Sequence, residues 1–152
     1  MADVEGIVVE LETSNESWAG LGDHLYVGVC GTEGGREFNL NVANFDDYEP
    51  GSKINYEIGK KFAFDAPGPE KTPITAPNAL TGGSKVEQPA VTHVYLRKHG
   101  RDTSSADDAW KLKSARVWLF NSVDPSRVFT AKGPLTLSIE DGLQVWLATG
   151  FD

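Results

Sequence analysis

The segment Trp110-Lys-Leu-Lys-Ser-Ala-Arg-Val-Trp-Leu-Phe120 decides the fold class, because apolar side chains alternate with polar ones along it. Its apolar residues fall into two sets of opposite parity, Trp110 and Leu112 and then Ala115, Val117 and Leu119. One extra residue in a strand, a β-bulge, returns both sets to the same face of a sheet. The segment therefore predicts a β-strand with a bulge near Lys113-Ser114.

The same period-two alternation recurs along the chain, and no long window has helical periodicity. Gly31-Thr-Glu-Gly-Gly35 is typical of a hairpin turn, since glycine tolerates the positive φ angles of such turns. Residues 135–139 and 143–147 predict a closing C-terminal hairpin around Glu140-Asp-Gly142. Short strands at this spacing predict an all-β fold, an antiparallel β-sandwich of about eight strands. The other expected strands centre on 7–11, 25–30, 38–42, 54–58 and 94–96.

The chain of 152 residues is long enough for one domain with its own core, and we interpret 1–152 as a single domain. Residues 59–90 contain five prolines and a Gly-Gly pair. Proline cannot donate a hydrogen bond to a sheet, so this stretch is expected to be a long surface loop, either disordered or functional.

Composition excludes several classes of function. The formal net charge of −8 leaves no basic surface for nucleic acid, and an anionic membrane would repel the protein unless a cation bridged the two. The single cysteine, Cys30, rules out an internal disulfide and is expected to be a buried structural thiol. The first residues, Met1-Ala-Asp-Val-Glu-Gly6, lack the basic and apolar regions of a signal peptide, so none is expected, and no apolar stretch has membrane-spanning length. These features predict a cytoplasmic protein, with secretion without a signal peptide left open and the oligomeric state unspecified.

Residues 7–120 carry three motifs that resemble the PLAT domain, the β-sandwich module of polycystins, lipoxygenases and bacterial alpha-toxins. Gly20-Leu-Gly-Asp-His-Leu-Tyr-Val27 is similar to the family's Gly-Thr-Asp-Ala-Asn-Val-Tyr-Val, and Tyr48-Glu-Pro-Gly-Ser52 is similar to its Phe-x-x-Gly-Ser. The stretch from His99 through Val117 resembles its late signature, with Lys113 where the family often has Asp. The proline-rich insert at 59–90 and the extra C-terminal segment at 121–152 have no counterpart in the family.

Acidic residues concentrate in three loops that alternate along the chain and should therefore meet at one end of a sandwich. The loops contain nine of the 22 acidic residues: Glu12, Glu16 and Asp23, then Asp46, Asp47 and Glu49, then Asp102, Asp107 and Asp108. Arg101 is the only basic residue among them. Crowded carboxylates favour a cation, and calcium accepts six to eight oxygen ligands. The resemblance implies calcium binding as well, through Asp23 and the late loop. The predicted metal ligands are Asp23, Asp102, Asp107, Asp108, Asp46 and Asp47; alternatively, the acids are simply solvated.

Apolar residues in the first loop suggest a contact surface beside this predicted calcium site. Trp18 and Leu21 are the candidates for membrane or partner contact, since an indole suits the membrane interface. Alternatively, Trp18 folds back and caps the sandwich. Trp110, Trp118 and Trp146 are expected to lie in the core or to cover a sheet face.

Residues typical of catalysis are poorly arranged. His24, His93 and His99 lack a metal-ligand spacing, and the chain has no Gly-x-Ser-x-Gly motif or phosphate-binding glycine loop. The sequence therefore predicts a non-enzymatic module that binds calcium and then a lipid surface or a protein. The first alternative is a structural or assembly module that works through protein contacts without calcium-dependent function. A second alternative is a carbohydrate-binding jelly roll that uses the aromatic residues Tyr26, Tyr95 and Trp118.

Overall fold

The computed structural model describes residues 3–15, 25–32, 34–40, 51–59, 70–74, 86–98, 110–137 and 144–149. These residues form nine β-strands and one 3-10 turn, Gln88–Ala90, so the all-β prediction is confirmed. The strands are β1 (Gly6–Thr13), β2 (Leu25–Gly31), β3 (Gly34–Asn39), β4 (Lys53–Gly59), β5 (Glu70–Ile74), β6 (Val91–Lys98), β7 (Trp110–Phe120), β8 (Arg127–Leu137) and β9 (Gln144–Thr149).

The strands form two sheets that join along one side. Sheet I has the order β5-β4-β1-β7-β8, and sheet II has the order β3-β2-β6-β9. Strand β9 pairs with β6 over four residue pairs and with β8 over two, so it links the two sheets. Neighbouring strands in the described part of the chain are antiparallel except β4 and β5. This curled arrangement is the predicted antiparallel β-sandwich.

The core lies between the sheets and is built from alternate residues of each strand. Ile54, Tyr56 and Ile58 of β4 are each at most 1% exposed, as their alternation predicts. Burying a side chain of this size stabilises the fold by about 1.5–3 kcal/mol, so the apolar parity decides which face turns inward. The same rule places these residues in the core: Ile7, Val9 and Leu11 of β1, Leu25, Val27 and Val29 of β2, and Val94 and Leu96 of β6.

The predicted bulge in β7 is confirmed. Glu12 of β1 pairs with Ser114, whereas the next residue, Thr13, pairs with Leu112, so Lys113 is the extra residue. The pairing of β7 with β8 shifts at the same place. As a result, both apolar sets of β7 are buried on the core side: Trp110 and Leu112 before the bulge, and Ala115, Val117 and Leu119 after it.

The predicted hairpin after β2 is present, but its turn is shorter than expected. Gly31 pairs with Gly34 across the hairpin, so the two glycines at 34 and 35 belong to β3. Gly34 has a φ of 129°, which explains why glycine is used at that position. Strand β3 consequently begins earlier than the expected 38–42 and ends at Asn39.

Part of the proline-rich insert differs from the predicted surface loop. Strand β5 lies inside it and runs parallel to β4, with Pro73 opposite Glu57. Proline is tolerated in an edge strand because its missing N–H can fall on the side that has no neighbouring strand. In the described order of sheet I, β5 stands at the edge. Residues 60–69 and 75–85 lie outside the described residues.

The C-terminal strands pair differently from the predicted hairpin. Strands β8 and β9 are antiparallel neighbours, but they pair at Phe129 and Thr130 with Thr149 and Ala148, far from the turn. Most of β9 pairs instead with β6 of the other sheet. Residues 138–143, which contain the predicted turn, lie outside the described residues.

Candidate functional site

The strand ends that flank the acidic loops meet at one end of the sandwich, which we call the loop end. In sheet I, the antiparallel registers bring Thr13 of β1, Lys53 of β4 and Trp110 of β7 to this end. In sheet II, Leu25 of β2 pairs with Lys98 of β6, and Asn39 of β3 lies beside them. The described strand ends on either side of segments 14–24, 41–52 and 99–109 therefore lie at the loop end, as the sequence predicts.

Hydrogen bonds tie these strand ends together within sheet I. The amide of Thr13 donates to the carbonyl of Ser52 at 2.9 Å, and the amide of Gly51 donates to the carbonyl of Ser14 at 3.1 Å. The buried indole of Trp110 donates through Nε1 to Thr13 Oγ1 at 3.0 Å. Three loop attachment points are thus held in fixed positions relative to one another.

The predicted calcium ligands and contact residues lie outside the described residues. These are Asp23, Asp46, Asp47, Asp102, Asp107 and Asp108 for calcium, and Trp18 and Leu21 for a membrane or partner. Their assignment stays a prediction that follows from the sequence and from where their loops begin and end. Among the described residues, no group of three or more His, Cys, Asp or Glu side chains could hold a metal ion.

One of the acids attributed to the first loop has a different role. Glu12 is part of β1, and its carboxylate lies 3.2 Å from the Lys113 ammonium of the bulge in β7. The Ser114 hydroxyl donates to the same carboxylate at 3.4 Å. Glu12 therefore belongs to the bulge, and eight of the nine acids remain in the loops.

Lys98 is a residue at the loop end that the sequence interpretation missed. It continues the core-facing set of β6, after Val94 and Leu96, and its side chain is fully buried at 0% exposure. A buried ammonium is costly unless nearby groups compensate its charge. The parity of β6 could have revealed it, since a lysine at a core-facing position directly precedes an acid-rich loop.

The outer face of sheet II presents a second cluster of functional groups, which we call the sheet II face: Tyr26, Glu37, Tyr95, Arg97 and Trp146. Arg97 donates to Glu37 through Nε at 3.0 Å and through an Nη at 2.6 Å. The Tyr95 hydroxyl donates to the same carboxylate at 2.7 Å. The hydrogen bond from Arg97 holds the pKa of Glu37 below its usual value, and burial together with the bond to Glu37 raises the pKa of Tyr95 to about 12.

The expectations for Trp110, Trp118 and Trp146 are confirmed, one in the core and two on sheet faces. Trp110 is in the core, and Trp118 covers the outer face of sheet I together with Val8 and Phe120. Because Trp118 is buried, it cannot serve as the exposed aromatic of the carbohydrate alternative. Trp146 lies on the outer face of sheet II against Tyr95 and His93, so it covers that face as expected, and it remains 55% exposed.

Cys30 and His93, the remaining reactive side chains in this region, form structural contacts. The Cys30 thiol donates to the carbonyl of His93 at a sulfur–oxygen distance of 3.6 Å. Burial raises the pKa of this thiol, which disfavours the nucleophilic thiolate. Cys30 is half-buried at the end of β2 rather than fully in the core. His24 and His99 lie outside the described residues.

No protein-family model and no curated protein matches the chain. Several solved structures share its fold. The alpha-toxin of Clostridium perfringens, from avian strain SWCP, matches with a TM-score of 0.61 and 16% identity over 96% of this chain and 31% of the toxin. Coral 8R-lipoxygenase, whose structure is described in terms of calcium activation through a C2-like domain, matches with a TM-score of 0.56 and 18% identity over 95% of this chain and 17% of the enzyme. An alpha-toxin from Clostridium absonum matches with a TM-score of 0.56 and 18% identity over 88% of this chain and 30% of that chain.

At these identities the similarity concerns the fold. The chain spans between 17% and 31% of the length of these three neighbours. No helix in the described part of the chain is long and apolar enough to cross a membrane. Lipoxygenases and alpha-toxins are two of the protein classes that contain the PLAT domain. The resemblance seen in the sequence is therefore confirmed as a shared β-sandwich fold, which covers nearly the whole chain.

Proposed function

We propose that this protein is a non-enzymatic binding module that binds calcium at the loop end and then engages a lipid surface. One observation supports this most: the described strand ends bring the attachment points of all three acid-rich loops to the same end of the sandwich. The fold is also similar to coral 8R-lipoxygenase, which is described as activated by calcium through a C2-like domain.

Electrostatics favour a cation at this end. Eight acidic residues fall in the three loops once Glu12 is assigned to the bulge, whereas the basic residues in or directly beside those loops are Arg101, the buried Lys98 and Lys53. Two ammonium groups and one guanidinium do not balance eight carboxylates, so mutual repulsion remains. Calcium relieves it because it accepts carboxylate oxygens in flexible geometry. Asp23, Asp102, Asp107 and Asp108 would supply the ligands, with Asp46 and Asp47 from the middle loop.

The proposed lipid contact involves the first acidic loop, between β1 and β2. Trp18 and Leu21 lie in the segment that connects β1 to β2 at the loop end. The protein carries a net charge of −8, so it would be repelled by anionic lipids until calcium neutralises the loops. Tryptophan and leucine side chains can then enter the interface, where an indole is stable.

The non-enzymatic assignment has separate support. In sheet II, the side chain best suited to act as a nucleophile is Cys30. Burial raises the pKa of its thiol, so little of the reactive thiolate is present at neutral pH. The shared fold corresponds to at most 31% of the three enzyme neighbours compared above, so their activities do not transfer with it.

Thermal unfolding with and without calcium tests the metal site. At a hundredfold excess over the dissociation constant, calcium should add about 2.7 kcal/mol of stability. For a domain of this size that corresponds to a rise of about 5–10 °C in melting temperature. Magnesium should do much less, because it prefers a tight octahedral shell. Asp23→Asn should reduce the calcium effect, and Asp65→Asn, a carboxylate in the insert, is the matched control.

Flotation with phosphatidylserine vesicles tests the lipid contact. Binding should require calcium and should fall when Trp18 is replaced by alanine. Trp146→Ala removes an exposed indole from a different surface and should leave vesicle binding unchanged. A melting temperature that does not respond to calcium, with vesicle binding absent, would contradict the proposal and favour the calcium-independent assembly module.

A further inference from the structure

The sheet II face is a row of side chains that crosses four neighbouring strands. Glu37 of β3 lies opposite Gly28 of β2, which lies opposite Tyr95 of β6, which lies opposite Trp146 of β9. Because side chains alternate along a strand, residues in such a row project from the same side of the sheet. This side is opposite to the core-facing set of Val27, Val29, Val94 and Leu96.

Glycine at position 28 makes the arrangement possible. A Cβ atom at this position would lie 2.0 Å from Cζ of Tyr95, so the tyrosine ring occupies the space above the glycine. The ring thereby reaches across β2 to donate its hydroxyl hydrogen to Glu37. Arg97 is fixed as well, since its guanidinium carbon lies 4.3 Å from the centre of the Tyr26 ring while it binds Glu37. The hydrogen-bonding groups are therefore preorganised.

Trp146 forms an apolar platform beside this network. Its ring meets Tyr95 and His93 in edge-on contacts, each with a centroid distance of 5.3 Å and an interplanar angle of 69°. These contacts orient the indole while 55% of the residue stays exposed. An oriented and exposed indole next to a fixed polar network offers a ligand both an apolar contact and directed hydrogen bonds.

The charges on the face indicate what kind of ligand fits. The carboxylate of Glu37 is neutralised by Arg97, so the face offers neither an unpaired anion for a cationic ligand nor an unpaired cation for an anionic one. Arg36 also lines the pocket beside Glu37, but it belongs with Phe38 to the other parity of β3, and its guanidinium carbon lies 5.6 Å from the centre of the Phe38 ring. What remains is a neutral network with both donors and acceptors. The Glu37 carboxylate accepts three hydrogen bonds and has room for another.

We propose that the sheet II face binds a neutral carbohydrate chain. A pyranose ring has an apolar face of C–H groups, which carry slight positive charge and are attracted to the negative face of an indole. Its hydroxyl groups both donate and accept hydrogen bonds, which matches the Glu37–Tyr95–Arg97 network. A shallow pocket of about 150 Å³ opens on the β3 side of this network, beside Gly35 and Cys30, and gives hydroxyl groups access to Glu37. This site lies on a sheet face and is independent of calcium at the loop end.

Titration calorimetry of the full chain against four neutral hexasaccharides tests the proposal: cellohexaose, xylohexaose, maltohexaose and chitohexaose. At least one should give saturable binding, and it should persist in EDTA, which separates this site from the loop end. Trp146→Ala should weaken that binding by about tenfold or more, since an aromatic anchor usually carries much of the affinity. Trp146→Phe keeps a smaller ring and should cause an intermediate loss.

Two further variants complete the experiment. Glu37→Gln removes the ion pair and should weaken sugar binding several-fold. Val123→Ala changes an exposed apolar residue outside the sheet II face and should have no effect. Circular dichroism of each variant verifies the fold. The proposal is overturned if none of the four sugars binds, if Trp146→Ala binds as the original chain does, or if sedimentation shows that this variant dissociates a dimer.

Discussion

Two tryptophans occupy equivalent positions on the outer faces of the two sheets but have opposite environments. Trp118 projects outward from β7 in sheet I and is 2% exposed, whereas Trp146 projects outward from β9 in sheet II and is 55% exposed. Each lies in a strand whose alternate residues enter the core. Alternation therefore identified which residues point away from the core, but it did not identify which outer face is shielded from solvent.

The neighbours of each tryptophan extend the contrast. On sheet I, Trp118 packs with Val8, Phe120 and Val128 in a second apolar cluster. On sheet II, Trp146 is surrounded by Tyr95 and His93, and the adjacent side chains are hydrogen-bonded and charged. The first outer face contributes stability through burial. The second holds an organised polar network at the surface, which is the kind of arrangement that recognises a ligand.

The largest expected effect is the difference between the two tryptophans on truncation. Trp118→Ala should lower the free energy of unfolding by about 3–5 kcal/mol, because it leaves a cavity in a buried cluster. Trp146→Ala should lower it by less than about 1 kcal/mol, since most of its surface is already in water. Urea unfolding of both variants measures the difference. If both variants lost the same free energy of unfolding, Trp118 and Trp146 would be shielded from solvent to a similar extent, and the contrast between the two outer faces would be wrong.

A smaller effect is expected from Gly28→Ala, which acts on the sheet II face alone. The new methyl group would displace the Tyr95 ring and break its bond to Glu37, at a cost of about 1 kcal/mol. The pKa of Tyr95 should then fall from about 12 towards its ordinary value of 10.0. Titration of tyrosinate absorbance measures the shift, with Ala148→Ser in β9 as a control. An unshifted titration would show that Tyr95 does not depend on the glycine.

The smallest effect concerns the acid stability that the Glu37–Arg97 pair contributes. The hydrogen bond from Arg97 lowers the pKa of Glu37 in the folded state below its ordinary value of 4.5. In the unfolded chain Glu37 therefore binds a proton at a higher pH than it does in the folded chain. The stability that the pair contributes is present at neutral pH, and it is lost as the pH falls from 4.5 through the lower pKa that Glu37 has in the folded state. Both side chains are about a third exposed, so solvent screening should limit the contribution to less than about 1 kcal/mol.

Urea unfolding between about pH 7 and pH 3 tests this for Glu37→Gln. The difference in stability between the original chain and the variant should be constant near neutrality and should shrink at acidic pH. A difference that grows as the pH falls would contradict the assigned direction of the pKa shift.

Much of the core followed from the sequence because burial depends on local parity. Ile54, Tyr56 and Ile58 share a face in any strand that includes them, whatever their partners. The change of parity around Lys113 likewise predicts a bulge, because one extra residue is enough to return both apolar sets to the core face. The bulge is present where Glu12 pairs with Ser114 and Thr13 pairs with Leu112. The convergence of the loop attachment points could also be predicted, since antiparallel strands return alternate connections to the same end.

The pairing of distant strands could not be predicted in the same way. The sequence indicated that residues 143–147 are a strand, yet β9 pairs mainly with β6, about fifty residues earlier in the chain. That partner depends on where sheet II leaves an unpaired edge, which no local pattern encodes. The strand β5 inside the proline-rich insert was missed for the same reason. It forms because it pairs in parallel with β4, and its sequence, which includes Pro73, does not indicate a strand.

The sequence by itself determined the fold class, the core-facing residues and the bulge in β7, because each follows from the alternation of side chains along a strand. It also determined that the attachment points of the acidic loops share one end, because antiparallel strands return alternate connections to the same end. Only the tertiary structure decided that Lys98 is buried at the loop end, that Trp118 is shielded and Trp146 is open, and that Glu37 meets both Arg97 and Tyr95. Glu37 is separated from these two partners by 60 and 58 residues in the chain, so only strand pairing brings them together. The physical reason is that local periodicity fixes the direction in which a side chain points, whereas its neighbours depend on which strands pair.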